Sequence, residues 1–355
     1  MRHVRRLSLP ASLNSPRLVT IDDTHQAKVK KINQYLCLCK LGSGASSKVY
    51  LAQDTVTNEY YALKMFKTSE LSKTGNGLQT LEREIRNMRL VKHKNIIRMK
   101  EALHSKDEGI ACIVFEWADC GSIENLIERG FILDERVISR IFYQIVTGLQ
   151  FLHDQGIVHQ DIKPSNVLIF SDGSVKISDF GIGHRFQSAD TVVGTPAYQA
   201  PEVFGSEEEP EEENLDEEPL DPCKEDVWSL GISLYQTKFL RLPYTGANVY
   251  EIASMIRTTD LEIPPDVSPE LKDLITHMLT VDPMKRYSLH EVAAHPFIQR
   301  GEKPIPLPIR KKPPPKPSPE FAIHNISAVV CDDGYSFGYE EANRWWCPPR
   351  TLSRN

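Results

Sequence analysis

Asp161, Lys163 and Asn166 stand close together in the stretch His-Gln-Asp-Ile-Lys-Pro-Ser-Asn, residues 159–166. A second carboxylate, Asp179, opens Asp-Phe-Gly at 179–181. Two carboxylates, an amide and an ammonium gathered on one patch suit phosphoryl transfer. That reaction needs a base beside an incoming hydroxyl, oxygen ligands for magnesium and a cation near the phosphate charge.

Gathering these groups requires the chain to turn back between 166 and 179. An apolar run at 167–170, a turn signal Ser171-Asp172-Gly173-Ser174 and the run Val175-Lys176-Ile177 predict a β-hairpin with the polar residues at its two open ends. Upstream, Ile141, Ile145, Leu149 and Leu152 fall on one stripe of a helix over 137–153 that ends near Gly156. Strands begin at Ile32. The run Leu41, Gly42, Ser43, Gly44 to Val49 joins two of them, and such a turn can lay backbone N–H groups over a phosphate chain because glycine has no Cβ. A further strand carries Ala62 and ends on Lys64. Segment 78–91 has helical spacing at Leu81, Ile85 and Met88, with Glu84 beside the stripe and Glu82 as its rival. A buried strand over 110–115 leads into Glu116-Trp117-Ala118. Further helices are expected from Asp226 and over 271–279.

The chain has 355 residues, enough for a two-lobed unit with tails, and its 40% hydrophobic content suits a globular core. No apolar run approaches the roughly 20 residues of a membrane helix. Residues 207–221 hold ten acids and no base, and without them the net charge of −6 would be positive, so the acidity belongs to one insert. A block of like charge stays solvated; its sharper reading is a docking strip for a basic substrate. The seven cysteines show no zinc spacing and read as reduced thiols, with Cys37 and Cys39 expected on one strand face. Residues 1–20 contain four arginines and no acid. A presequence and a disordered basic tail both fit that composition, and prolines 10 and 16 favour the tail. Residues 303–319 are proline-rich with Arg310-Lys311-Lys312, either a linker or an SH3-type ligand, and Trp345-Trp346 follow.

In order, these motifs resemble those of eukaryotic serine/threonine protein kinases over residues 35–298. Gly-Thr-Pro-Ala-Tyr at 194–198, leading to Ala-Pro-Glu at 200–202, and Lys163 place the resemblance in the serine/threonine type. It implies an α+β bilobal fold: a small antiparallel-sheet lobe with one helix at 32–117, and a larger, mainly helical lobe at 118–298 that includes the acidic insert 206–221. Residues 1–31 would be a disordered tail, and 299–355 a proline-rich linker and tail. ATP and magnesium are the implied cofactors.

The resemblance also implies residue roles. Asp161 would be the base and Lys163 would steady the transferring group. Asn166 and Asp179 would hold magnesium. Lys64 would contact the phosphates and pair with Glu84, under a loop of Gly42, Ser43 and Gly44. Adenine would lie between Leu41, Val49 and Ala62 on one side and Leu168 on the other, bonded to backbone at Glu116 and Ala118, with Phe115 behind. Glu202 would pair with Arg286 structurally, and Asp226 would hold the catalytic-loop backbone.

Within the family, Asn33-Gln34-Tyr35, residues 161–166, 191–197 and 271–276 look most like the calcium/calmodulin-dependent kinase kinases and the kinases that activate AMP-activated kinase. The implied partner is a protein substrate, in that case another kinase; no nucleic acid or membrane is expected, and the implied location is the cytoplasm, with the nucleus as an alternative. The third loop glycine is replaced by Ser47. Gln160 stands where many kinases carry arginine, so a bidentate clasp on an activation-loop phosphate is missing and activity without that phosphorylation is expected. A pseudokinase scaffold and a small-molecule kinase are the alternatives. Intact Lys64, Asp161, Asn166 and Asp179 count against the first, and the Gly-Thr-Pro segment counts against the second.

Overall fold

A computed structural model describes residues 18–20, 30–44, 47–71, 81, 85, 88–105, 109–179, 196–204 and 221–304. Glu84, the loop tip at Ser46, Thr191 and Thr195, most of the acidic insert, and the tail from 305 lie outside the described residues. Among the described residues no helix is long and apolar enough to cross a membrane. The chain divides into two compact units, one holding residues 99–117 and most of the N-terminal part, the other holding 79–98 and 118–313.

The first unit is built on a seven-stranded antiparallel sheet: β1 (Leu18–Thr20), β2 (Lys30–Ile32), β3 (Tyr35–Ser43), β4 (Ser47–Asp54), β5 (Tyr60–Lys67), β6 (Met99–Ser105) and β7 (Ile110–Glu116), in the order β1-β2-β3-β4-β5-β7-β6. Side chains alternate across a strand. Tyr61, Leu63 and Met65 therefore enter one apolar cluster with Tyr35, Ala52, Leu103 and Val114, where each buried large side chain contributes about 1.5–3 kcal/mol. The Tyr35 hydroxyl donates to Glu101 inside this cluster, and Gln34 Nε2 donates to the same carboxylate at 3.3 Å. Burial pushes the Glu101 carboxyl up and the Tyr35 hydroxyl well above its ordinary range, so the proton stays on the tyrosine.

Two expectations change here. Strand β1 and the first two residues of β2 lie inside the stretch 1–31 that reads as a disordered tail, so the sheet begins before residue 32; main-chain pairing places Lys30 and Lys31 in a strand despite their polarity. Cys37 and Cys39 do not share a face. A register shift between them pairs Cys37 with Ala52 but Cys39 with Leu51, and adjacent residues of β4 point to opposite faces. A bulge inserts one residue and breaks the simple alternation.

The second unit is mainly helical: α2 (Ile123–Glu128), α3 (Glu135–Asp154), α4 (Cys223–Phe239), α5 (Val249–Thr258), α6 (Pro269–Met278), α7 (Leu289–Ala294) and α8 (Pro296–Gln299), α1 (Thr68–Leu71) being in the first unit. Asp134 caps α3 by accepting from Arg136 N, and its stripe of Ile138, Ile141, Ile145, Leu149 and Leu152 is buried. Gly156, at φ 69°, lets the chain leave this helix. Helix α4 is buried at every position from Asp226 to Thr237 and forms the centre of the unit. Gly148 sits where α3 meets the chain at Asn95: an added Cβ would lie 2.8 Å from Asn95 O.

Candidate active site

The predicted hairpin forms, with β8 (Val167–Ile169) paired antiparallel to β9 (Val175–Ile177). Val167, Ile169, Val175 and Ile177 point into the core, and Leu168 points the other way. The turn closes through Ser174 N donating to Asp172 Oδ1 at 2.8 Å, with Gly173 at φ 84°. At the open end Ser178 N donates to Asn166 O at 2.8 Å. That bond brings the stretch 161–166 beside Asp179.

Asn166 uses its amide N–H groups on Asp161, donating to the backbone O at 2.9 Å and to Oδ2 at 2.7 Å. Lys163 Nζ meets the same Oδ2 at 2.7 Å. Two donors on one oxygen fix the orientation of the Asp161 carboxylate. With its N–H groups committed, Asn166 has its amide oxygen to offer a cation. The donor set of Asn166 and Asp179 is hard oxygen, which fits magnesium; this ion binds through one or two carboxylates plus phosphate oxygens. No group of three or more His, Cys, Asp and Glu disposed to hold a metal occurs among the described residues.

Two residues hold this loop, Asp226 as the family resemblance implies and His159 without a sequence signal. Asp226, fully buried in the first turn of α4, accepts from His159 N and Gln160 N, each at 2.8 Å, and lies 2.8 Å from His153 Nε2. These bonds keep Gln160 at φ 63°, a left-handed conformation disfavoured for residues with a Cβ. Asp179 has the same φ of 63°. His159 is also buried. Its Nδ1 accepts from Asp161 N at 3.2 Å, and its Nε2 lies 3.0 Å from Ser178 O. A backbone N–H can only donate and a carbonyl can only accept, so the ring is the neutral tautomer with hydrogen on Nε2. Burial lowers its pKa and keeps it neutral. His159 thus ties the base's backbone to the residue before Asp179. The helix over 137–153 signalled where His153 lies, but nothing local signalled its partner, 73 residues away.

Arg286, fully buried, meets Glu202 through two bonds of 2.6 and 2.9 Å and spends its remaining N–H groups on the carbonyls of Lys224, Thr280 and Val281. All five donors are satisfied, and the guanidinium stacks 5.0 Å from the Trp228 ring. The pair is structural, as the sequence implies. Tyr198 is anchored beside it: its hydroxyl donates to Gln236 Oε1 at 2.6 Å, and its carbonyl accepts from Ser229 Oγ at 2.7 Å. Ala118, also in this unit, accepts from Gly121 N at 3.2 Å.

In the first unit, Val49 pairs with Lys64, which pairs with Ile113, and Ala62 pairs with Phe115. Directly opposed residues share a face, so Val49, Ala62, Lys64 and Phe115 stand on one side of the sheet, opposite the apolar cluster. Lys64 is buried. Glu116 is opposite Tyr61 and its side chain lies on the cluster side, leaving its backbone for the role expected of it. In the glycine turn Gly42 pairs with Val49, Ser43 with Lys48, and Gly44 N donates to Ser47 O at 2.9 Å. A register shift leaves Leu41 unpaired and 48% exposed. Glu84 cannot be placed, since it lies outside the described residues.

The protein kinase domain family matches residues 35–298. Serine/threonine-protein kinase STK11 of Gallus gallus is 33% identical over 328 residues, covering 88% of this chain and 70% of the relative. The protein of that name in Homo sapiens is 33% identical over 294 residues, covering 79% and 65%. CBL-interacting serine/threonine-protein kinase 16 of Arabidopsis thaliana is 30% identical over 297 residues, covering 80% and 61%. The chain spans about two thirds of the length of these relatives. The kinase motifs, the hairpin that presents them and these matches agree, and the chain belongs to the protein kinase family, as a serine/threonine protein kinase that uses ATP and magnesium.

Proposed function

We propose that this chain moves the γ-phosphoryl group of ATP to a serine or threonine hydroxyl of a protein, with Asp161 taking the hydroxyl proton. The observation that carries this reading is the cluster in which Lys163 and Asn166 both contact Asp161 Oδ2 at 2.7 Å. A carboxylate held at one oxygen presents the other edge in a fixed direction, and alignment of that kind supplies much of the acceleration in phosphoryl transfer. Lys163, on the same loop, is placed to follow the charge that moves onto the transferred group. Asn166 and Asp179 would hold magnesium, which when bound neutralises phosphate charge. Lys64 would hold the phosphates beneath Gly42, Ser43 and Gly44. Val49, Ala62, Leu41 and Leu168 would cover adenine, with backbone groups of Glu116 and Ala118 reading its edge. The complete set of polar residues disfavours a scaffold without turnover.

The substrate we propose is another kinase, on the likeness of its motifs to those of the activating group; the location we propose is the cytoplasm, with the nucleus as the alternative. We also propose that activity does not depend on activation-loop phosphorylation. Gln160 is exposed and neutral, and its backbone, not its side chain, is what Asp226 holds. Phosphatase treatment of the purified protein should leave kcat unchanged within about twofold, a difference of about 0.4 kcal/mol in barrier. A loss of tenfold or more would refute the independence while leaving the kinase reading intact.

A further inference from the structure

The ladder between β5 and β7 ends at the rung Tyr61–Glu116. Trp117 lies one residue past β7, beyond that last rung, yet the backbone on either side of it is the part asked to read the adenine edge. A ring contact holds it there. Trp117 meets Tyr60 with ring centroids 5.7 Å apart and planes tilted by 56°. Continuing the same register by one step would set these two residues opposite each other, so side-chain pairing runs one position further than main-chain pairing. Tyr60 is a firm support. It pairs with Gln53 of β4. Its neighbour Tyr61 is tied down on the other face, edge-on to Tyr35 at 5.7 Å and with its hydroxyl donating to Glu59 Oε2 at 2.6 Å. Side chains alternate along a strand, so Tyr60 stands on the face of Ala62 and Lys64, the one assigned to the nucleotide. Both Tyr60 and Trp117 belong to the first unit.

Aromatic pairs on a sheet are ordinary packing. This one stands at the end of the strand that carries the adenine-reading backbone, and both its rings are only half-buried, so it adds little to the core and much to the direction in which the chain leaves β7. Resting on the kinase reading, we infer that Tyr60 and Trp117 act as one positioning unit for the adenine end of the ATP site: their ring contact fixes the peptide that follows Glu116, so that its backbone groups meet the base at a set distance and angle. The pair acts through backbone. Its loss therefore weakens recognition of the base and leaves phosphate handling and the transfer step alone.

The test compares the full-length wild type with Tyr60→Ala, Tyr60→Phe, Trp117→Ala and the double alanine variant. It measures KM for magnesium–ATP, kcat on a serine/threonine peptide library, and inhibition by magnesium tripolyphosphate, which carries no base. An aromatic pair of this geometry is worth a factor of about three to ten in an equilibrium. Each alanine variant should raise KM for ATP by about that factor, with kcat held within about twofold and inhibition by tripolyphosphate unchanged. Tyr60→Phe keeps the ring and should match the wild type. The double variant should be no worse than either single one, because the two residues share one interaction. Equal weakening of ATP and tripolyphosphate would overturn the inference, since it would mean a generally loosened sheet. So would additive effects in the double variant, a defect in Tyr60→Phe as large as in Tyr60→Ala, or an unchanged KM in the alanine variants. If one alanine variant does not fold, the other decides by the same readouts. Any of these failures in an active wild type leaves the kinase reading standing; a wild type that labels no peptide ends both.

Discussion

Residues 159–179 and residues 41–49 are both expected to handle phosphate, yet they are built on opposite principles. The first stretch is over-determined. Asp226 holds two successive backbone N–H groups, His159 bridges the base to Ser178, and the hairpin between is sealed by four buried apolar side chains. Two residues there keep φ at 63°, a conformation that persists only where surroundings enforce it. The glycine turn is open by contrast. Its strands slip in register at Leu41, and a Cβ added at Gly42 would meet nothing within 4 Å. Fixed geometry sits where bonds are exchanged, and adaptable backbone sits where a nucleotide must enter and leave.

Removing the Asp226 carboxylate should break this contrast most severely. Asp226→Ala strands the N–H groups of His159 and Gln160 in the interior and should destabilise the protein by about 3–5 kcal/mol, read by urea unfolding, with phosphotransfer lost alongside. A change below about 1 kcal/mol would mean that the loop does not depend on it.

The neutral His159 gives a smaller effect with a definite sign. Its folded pKa is lowered from an ordinary 6.5. Below that value the unfolded chain binds a proton that the folded chain refuses, so stability falls as pH drops through about 6.5 and continues falling toward the folded value, by about 1.4 kcal/mol per pH unit. His159→Gln should lack this share of the slope in unfolding measured between about pH 7 and pH 5.5. Equal slopes would show that the ring is charged when folded.

The glycine turn should respond the other way round, with function moved and stability spared. Gly42→Ala should change unfolding free energy by less than about 1 kcal/mol, while KM for ATP rises roughly tenfold, or about 1.4 kcal/mol, because the methyl stands where backbone would approach phosphate. An unchanged KM would remove Gly42 from the nucleotide site.

Which parts were legible in the sequence follows from the same contrast. The hairpin, the stripe of α3 and the cluster of Asp161, Lys163 and Asn166 are written in local spacing, where periodicity and turn residues act within a few positions. The pair Glu202–Arg286 was legible only through the family likeness. The His153–Asp226 contact was not legible, since it joins distant segments; the family likeness pointed to Asp226 holding the catalytic-loop backbone but gave no sign of its histidine partner. Cys37 and Cys39 were misjudged because strict alternation assumes no bulge. Strands β1 and β2 were missed because each is only three residues long and β2 carries two lysines, and main-chain pairing needs no apolar pattern.

The central claim is that Asp161, held by Lys163 and Asn166, removes the proton from a protein hydroxyl. Radiolabelled phosphate transfer from ATP to a serine/threonine peptide library, wild type beside Asp161→Asn, tests it directly. The account predicts incorporation by the wild type and a fall in kcat of about 10²–10⁴-fold in the variant, with magnesium–ATP still bound by both. A variant as fast as the wild type, or a wild type that binds magnesium–ATP and transfers nothing, would contradict it.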